Sequence, residues 1–386
     1  MTDLAERIDS YFVDHKQEFL SLVQSLVEQE TPSDKAESFT GLWNILRENF
    51  EETGYSVEHI EGHSTAGQLL CKPAGFDPSS PRQLILGHTD TVWDMGTLEE
   101  MPFDIEGNRV TGPGIFDMKA GIAMMVFVLK AIQAVGEKPE VQPVFLINSD
   151  EEIGSNESRD LIIEQAKRSE RTFVLEPALG TEGKIKTRRK GVGDFEIMIN
   201  GKPSHAGIAP GEGVSAILGL SHIVQQLYRL NKPSEGITVN VGTIEGGERS
   251  NVIAAKSKAV VDVRIPTRED GERIKEEIYN LKPEIEGIEL TVKGDINRPP
   301  LEKNSANQKL WEITKKLGEK LGLELEEGMS GGASDGNYTS LHSPTIDGLG
   351  AVGEGAHAFH EKIFLDETLK RAALLTLLLL YPSISE

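Results

Sequence analysis

Short apolar segments alternate with helical ones along the first 175 or so residues of this chain, and the apolar segments are closely followed by histidine or carboxylate. That alternation limits the fold more than any other feature. Residues 83–87, 141–148 and 172–175 read as strands, being short, apolar and bounded by polar or turn-forming residues. Residues 118–135 are apolar almost all round and read as a buried helix, and 158–168 also read as helical. Strands alternating with helices predict an α/β fold: a mostly parallel sheet covered by helices on both faces. Upstream, Leu4, Ile8, Phe12, Phe19, Leu20, Val23, Leu26 and Val27 mark one amphipathic helix over 4–28. A second is expected from about Ser33, its N-cap candidate, to Glu52.

The pattern changes near Lys190. Strand 194–200, helix 214–230, strands 237–244 and 259–265, helix 268–281 and strand 289–293 follow the βαββαβ order of a ferredoxin-like α+β module. After Pro299-Pro300 the earlier pattern resumes, with helix 304–321, the loop at Gly331-Gly332, a strand near 345–351 and a last helix from about 366. A chain of 386 residues is long for one domain. The expected organisation is a main domain in two parts, 1–189 and 301–386, with the 190–300 module inserted between them.

A net charge of −22 repels phosphate backbones and anionic headgroups, so neither nucleic acid nor a membrane is expected as partner. The one cysteine, Cys71, excludes an internal disulfide and a thiolate cluster, leaving nitrogen and oxygen to bind any metal. The N-terminal residues lack a signal-peptide pattern, and the longest apolar run, from Ala372 to Leu380, is too short to span a bilayer. These features suggest a cytoplasmic protein.

In open parallel sheets the ligand crevice lies beyond the carboxyl ends of the strands. His88, Asp90, Asp150, Glu151, Glu152, Glu176 and His357 all fall just after predicted strands, and Asp117 precedes the buried helix. Singly, each has an ordinary reading as a cap, a solvated loop residue or a structural histidine. Together they bring two imidazoles and several carboxylates to one rim. Two histidines and three carboxylates exceed what one catalytic zinc with an open position needs, whereas two ions sharing a carboxylate account for them. Such a pair polarises a carbonyl and lowers the pKa of a bridging water to about 7. Glu151 is the candidate base for that water, and Asp90 can take the second ring N–H of His88.

These residues sit in longer motifs: Gly87-His88-Thr89-Asp90-Thr91-Val92, the run from Gly112 to Gly121, Asp150 to Ser155, Glu176-Pro177, and Gly201 to Gly207. Ser250-Asn251-Val252-Ile253, Asp262-Val263-Arg264, Ser330 to Asp335 and Ala356 to Glu361 follow in order. Over about residues 84–361 the chain closely resembles the glutamate carboxypeptidase-like dinuclear metallopeptidases, the group that includes aminoacylase, acetylornithine deacetylase, succinyl-diaminopimelate desuccinylase and carboxypeptidase G. The resemblance implies a zinc exopeptidase-like main domain and an inserted dimerisation or lid domain, so a homodimer is expected.

It also implies residue roles. Asp117 would bridge two divalent ions, most simply Zn²⁺, with Co²⁺ or Mn²⁺ as alternatives. His88 and Glu176 would bind one ion, Glu152 and His357 the other. Glu151 would be the base and then the acid. The Asp117–Met118 bond is expected to be cis. His205 would stabilise the oxyanion, Arg264 and Asn251 would clamp the substrate carboxylate, and Gly331 and Gly332 would let backbone approach the substrate. The histidine of the C-terminal motif is normally followed three residues later by glutamate, which His357 and Glu361 satisfy, yet His360 competes as ligand. The implied activity is release of a C-terminal amino acid from a small peptide or acyl-amino acid. N-acyl-amino-acid deacylation or dipeptide cleavage is the alternative, and a non-catalytic metal- or amino-acid-binding relative the second. His15, His59, His63, His222 and His342 belong to no cluster. The basic run Lys184 to Lys190 is either a solvated linker or a patch that draws anionic substrates.

Overall fold

The computed structural model of the chain describes residues 2–384. It divides into two compact units. One runs up to Thr187 and resumes over Lys303–Met329 and from Ser334; the other is Arg188–Glu302 with Ser330–Ala333.

The first unit is built on a six-stranded sheet in the order Tyr55–Ile60, Gln68–Pro73, Gln142–Asn148, Arg82–His88, Arg171–Val174, Thr345–Ile346. The last four are mutually parallel, but Gln68–Pro73 lies antiparallel to both of its neighbours. The expected mostly parallel sheet is therefore corrected to a mixed one. The two overlooked strands form an edge hairpin, and the outer one alternates between half-buried and exposed, leaving little apolar signal. Cys71 is buried in the inner one, and burial pushes its thiol well above its ordinary pKa.

Helix Ala120–Ala134 is buried on nearly every face, as its sequence requires, and forms the heart of the core with Leu365–Leu379. The 4–28 helix is instead two, Thr2–Asp14 and Lys16–Val27, broken at His15, whose ring nitrogen Nδ1 bonds the Tyr11 carbonyl. The helix expected from Ser33 begins only at Thr40, after a 3₁₀ turn over Ala36–Phe39. Ser33 is no cap, because its hydroxyl donates to the Asp90 carboxylate at 2.8 Å. The strand expected at 345–351 shortens to two residues, and its continuation hugs the 174–178 backbone irregularly. Gly350 N–H donates to the Glu176 carbonyl, and a Cβ at Gly350 would lie 2.0 Å from the Leu175 oxygen, so only glycine fits.

A smaller antiparallel sheet, in the order Gly353–Glu354, Lys362–Phe364, Arg109–Thr111, Asp104–Glu106, has no counterpart in the sequence reading. It clamps the hairpin bearing His357 beside the segment that runs on to Asp117.

The second unit has an antiparallel sheet ordered Thr238–Gly246, Lys256–Ile265, Gly191–Asn200, Glu289–Arg298 and two helices, Ala216–Tyr228 and Arg268–Tyr279. It encloses its own core, including Ile197, Leu220, Val261 and Ile274. No helix among the described residues is long and apolar enough to cross a membrane.

Candidate metal centre

Parallel pairing aligns the strand ends. His88 lies opposite Asn148, and Leu86 opposite Val174, so the loops carrying Asp90, Glu151-Glu152 and Glu176 leave the sheet side by side. Asp117 enters from a segment that departs from helical geometry, with φ −117° and ψ 92°, and the Asp117–Met118 peptide is cis. His357 sits at φ +61°, a left-handed conformation that costs a non-glycine residue about 1–2 kcal/mol and tends to persist at functional sites.

The side chains converge in pairs. His88 Nε2 lies 3.3 Å from Asp117 Oδ1 and 3.5 Å from Glu176 Oε1. His357 Nε2 lies 3.5 Å from Asp117 Oδ2 and 3.2 Å from Glu152 Oε2. Each oxygen of Asp117 thus faces a different imidazole. Glu151 brings a carboxylate oxygen within 4.8 Å of ligand atoms of both His88 and Glu176. His357 and His360 are both exposed, but among the described residues it is the His357 ring that stands against Asp117 and Glu152.

Asp90 organises this rim more broadly than the sequence reading anticipated. Its carboxylate accepts the backbone N–H groups of Glu151 (3.2 Å) and Glu152 (3.0 Å) and the Ser33 hydroxyl. His88 Nδ1 lies 3.0 Å from the Asp90 carbonyl and 3.4 Å from its carboxylate, which commits Nδ1 as donor and leaves Nε2 facing the cluster.

The electrostatics call for a cation. Burial opposes a charge on His88, yet Asp117, Asp90 and Glu176 outweigh it and hold the imidazole well above its ordinary pKa. Asp117, then Glu152, push His357 up to about 10. Burial raises Asp117, but the two imidazoles override that and hold it below the usual carboxylate range. Glu152 goes the other way, raised by burial and by Asp117 against the pull of His357 and His88. In addition, His88 Nε2, Asp117 Oδ1 and Glu152 Oε1 are buried without a hydrogen-bond partner. Buried polar atoms are rarely left so. Nitrogen and carboxylate donors at these spacings fit divalent metal ions. A dication would satisfy the unpartnered atoms and supply the positive charge with both imidazoles neutral.

One neighbour escaped the sequence reading. The basic run is not a linker: Ile185–Arg189 is a strand in which Lys186 and Arg189 are buried and Arg188 is exposed. Lys186 Nζ lies 3.9 Å from Glu176, and Arg189 donates to the carbonyls of Gly332 and Ala333. Basic residues on a short polar strand carry no periodic signal that would have revealed this burial.

Within the second unit, His205 Nδ1 accepts the N–H groups of Gly207 (3.1 Å) and Ile208 (3.2 Å), so its Nε2 carries the proton and can donate. Asn251 lies alongside, its carbonyl accepting the Ala206 N–H. Arg264 holds Asp262 through Nε and Nη2 at 3.0 and 2.8 Å. A Cβ at Gly331 would meet nothing within 4 Å, and at Gly332 only the Ser330 hydroxyl at 3.9 Å.

Comparison with known proteins adds to this geometry. The sequence model of peptidase family M20/M25/M40 matches residues 84–381. Carboxypeptidase G2 of Pseudomonas sp. (strain RS-16) is 29% identical over 370 residues, covering 92% of this chain and 88% of its own length. Among solved structures, aminopeptidase PepT of Bacillus cereus superposes with a TM-score of 0.78 at 24% identity, over 94% of this chain and 98% of that one. The YXEP protein of Bacillus subtilis, a dinuclear metal-binding peptidase of the M20 family, does so with a TM-score of 0.69 at 15% identity, over 95% and 98%.

Proposed function

The chain belongs to peptidase family M20/M25/M40, and we propose that it is a metal-dependent hydrolase that releases a C-terminal amino acid by cutting the peptide or amide bond before it. The observation that carries this reading is Asp117, bracketed by His88 and His357 with Glu151 alongside. His88, Asp117 and Glu176 would hold one divalent ion, and Asp117, Glu152 and His357 a second. Zinc suits this borderline donor set best, with cobalt or manganese as substitutes. When bound, the ions supply Lewis acidity toward the scissile carbonyl and acidify water at neutral pH.

The chain's own groups do the rest. Glu151 takes the proton of the attacking water on its carboxylate and returns it to the leaving nitrogen. Asp90 keeps His88 in one tautomer and holds the Glu151-Glu152 backbone. His205, with its proton on Nε2, would donate to the developing oxyanion. Arg264 and Asn251 would hold the substrate carboxylate; Arg264 suits this because its fork can bond two oxygens at once.

A panel of acyl-glutamates, dipeptides and N-acetyl amino acids, each with a free or an amidated C-terminus, tests the reading. Free carboxylates should be hydrolysed, and amidation should lower kcat/KM by about 10-fold or more, the loss of one charge-assisted contact of about 1.5–3 kcal/mol. Equal rates on both forms would remove the C-terminal clamp. Activity confined to N-acetyl amino acids would shift the reading to a deacylase.

We also propose that two copies pair through the second unit. Thr238–Gly246 is an edge strand there, with Ile244 exposed, and Ile217, Leu218 and Tyr228 stand exposed on the helix Ala216–Tyr228. Sedimentation should give twice the chain mass, falling to the chain mass in Leu218→Lys/Ile244→Lys. A wild-type monomer at micromolar concentration would refute the pairing.

A further inference from the structure

We propose that Glu361 is a positioning residue of the metal centre, fixing the Asp117 segment and the His357 hairpin against each other through a saturated cluster of N–H donors. The inference rests on the metal reading above. Glu361 is 0% exposed. Its Oε1 accepts the backbone N–H groups of Phe116 (2.9 Å) and Asp117 (3.0 Å). Its Oε2 accepts the N–H of Gly114 (3.0 Å) and the indole N–H of Trp93 (2.8 Å). An ionised carboxylate has about four lone-pair sites, so the four donors fill it.

The partners make this more than a buried anchor. One donor is the N–H of Asp117 itself, so Glu361 fixes the backbone of the residue whose two oxygens face the two imidazoles. Trp93 follows His88 by five residues, and Glu361 follows His357 by four. One carboxylate therefore ties together the segments that carry three of the five assigned ligands. The backbone N–H of Glu361 donates to the Ala358 carbonyl, within the hairpin that carries His357 at φ +61°. For holding the hairpin alone, an apolar side chain would avoid the cost of desolvating a carboxylate. Only an acceptor on both oxygens collects these four N–H groups. Glutamine has the same shape, but its amide NH₂ would confront two of the donors.

Cobalt titration of the metal-stripped full chain, followed by visible absorption, tests this on the wild type, Glu361→Gln and Trp93→Phe, with thermal unfolding recorded alongside. The wild type should take up two Co²⁺. Glu361→Gln should weaken at least one site by roughly 10-fold or more, as loss of an outer-shell partner does, and alter the d–d band intensities. Trp93→Phe removes one donor of four and should weaken binding in the same direction by about 2- to 5-fold. A Glu361→Gln protein with wild-type cobalt affinity and spectrum overturns the proposal even if it melts earlier, because a purely structural role would move only the melting. Should Glu361→Gln fail to fold, unchanged affinity in Trp93→Phe overturns it. A wild type that takes up no cobalt removes the metal reading and this inference with it.

Discussion

Glu151→Gln is expected to keep both metal ions and to lose kcat by roughly 10²-fold or more, with KM little changed. The substitution keeps the side chain's shape and removes its ability to take a proton. Glu151 has a carboxylate oxygen within 4.8 Å of ligand atoms of His88 and Glu176, close enough to share water with whatever those residues hold. The same proximity permits a second role, that of a metal ligand. Metal content separates the two. A base can be lost with the ions retained, whereas losing a ligand lowers affinity as well. Elemental analysis and steady-state kinetics on one preparation settle the matter. If Glu151→Gln retains metal and turns over within about threefold of wild type, the proton is handled elsewhere.

Asp117→Asn should be more damaging, dropping metal content from about two ions to one or none and activity by roughly 10³-fold or more. Oδ1 faces His88 and Oδ2 faces His357, so this one carboxylate reaches both imidazoles. Asparagine keeps one acceptor oxygen and offers an NH₂ on the other side, where it would meet an imidazole nitrogen or a cation. It can serve one ion at most. Chelation of the wild type should produce the same inactivity, reversed by zinc, cobalt or manganese, while the mutant should stay inactive when any of them is returned. Circular dichroism checks that both proteins remain folded. Two ions and near-normal turnover in Asp117→Asn would mean that Asp117 does not bridge, and that the two imidazoles serve separate sites.

Features written in local periodicity and in short motifs are legible in the order of the amino acids. Apolar runs ending at His88, at Asp150-Glu151-Glu152 and at Glu176 place those groups at strand ends, because a parallel strand buried on both faces must be apolar and its polar successors must emerge at the rim. The change of rhythm near Lys190 is of the same kind. Tertiary structure decided what depends on partners distant along the chain. The hairpin of Tyr55–Ile60 and Gln68–Pro73 turns the sheet from parallel to mixed, yet half its outer strand faces water and announces little. His357 and His360 share one loop, and no periodicity separates them. The motif register, with glutamate four residues on, already favoured His357, and the small sheet lays that loop along Arg109–Thr111 with His357 in a left-handed turn. Ser33 looked like a helix cap until a carboxylate 57 residues away claimed its hydroxyl. The basic run around Lys186 reads either as a solvated linker or as an anion-drawing patch, and folding buries Lys186 and Arg189. A local pattern records which face of a segment is apolar; which distant polar group meets it depends on chain closure and packing, and those are properties of the whole fold.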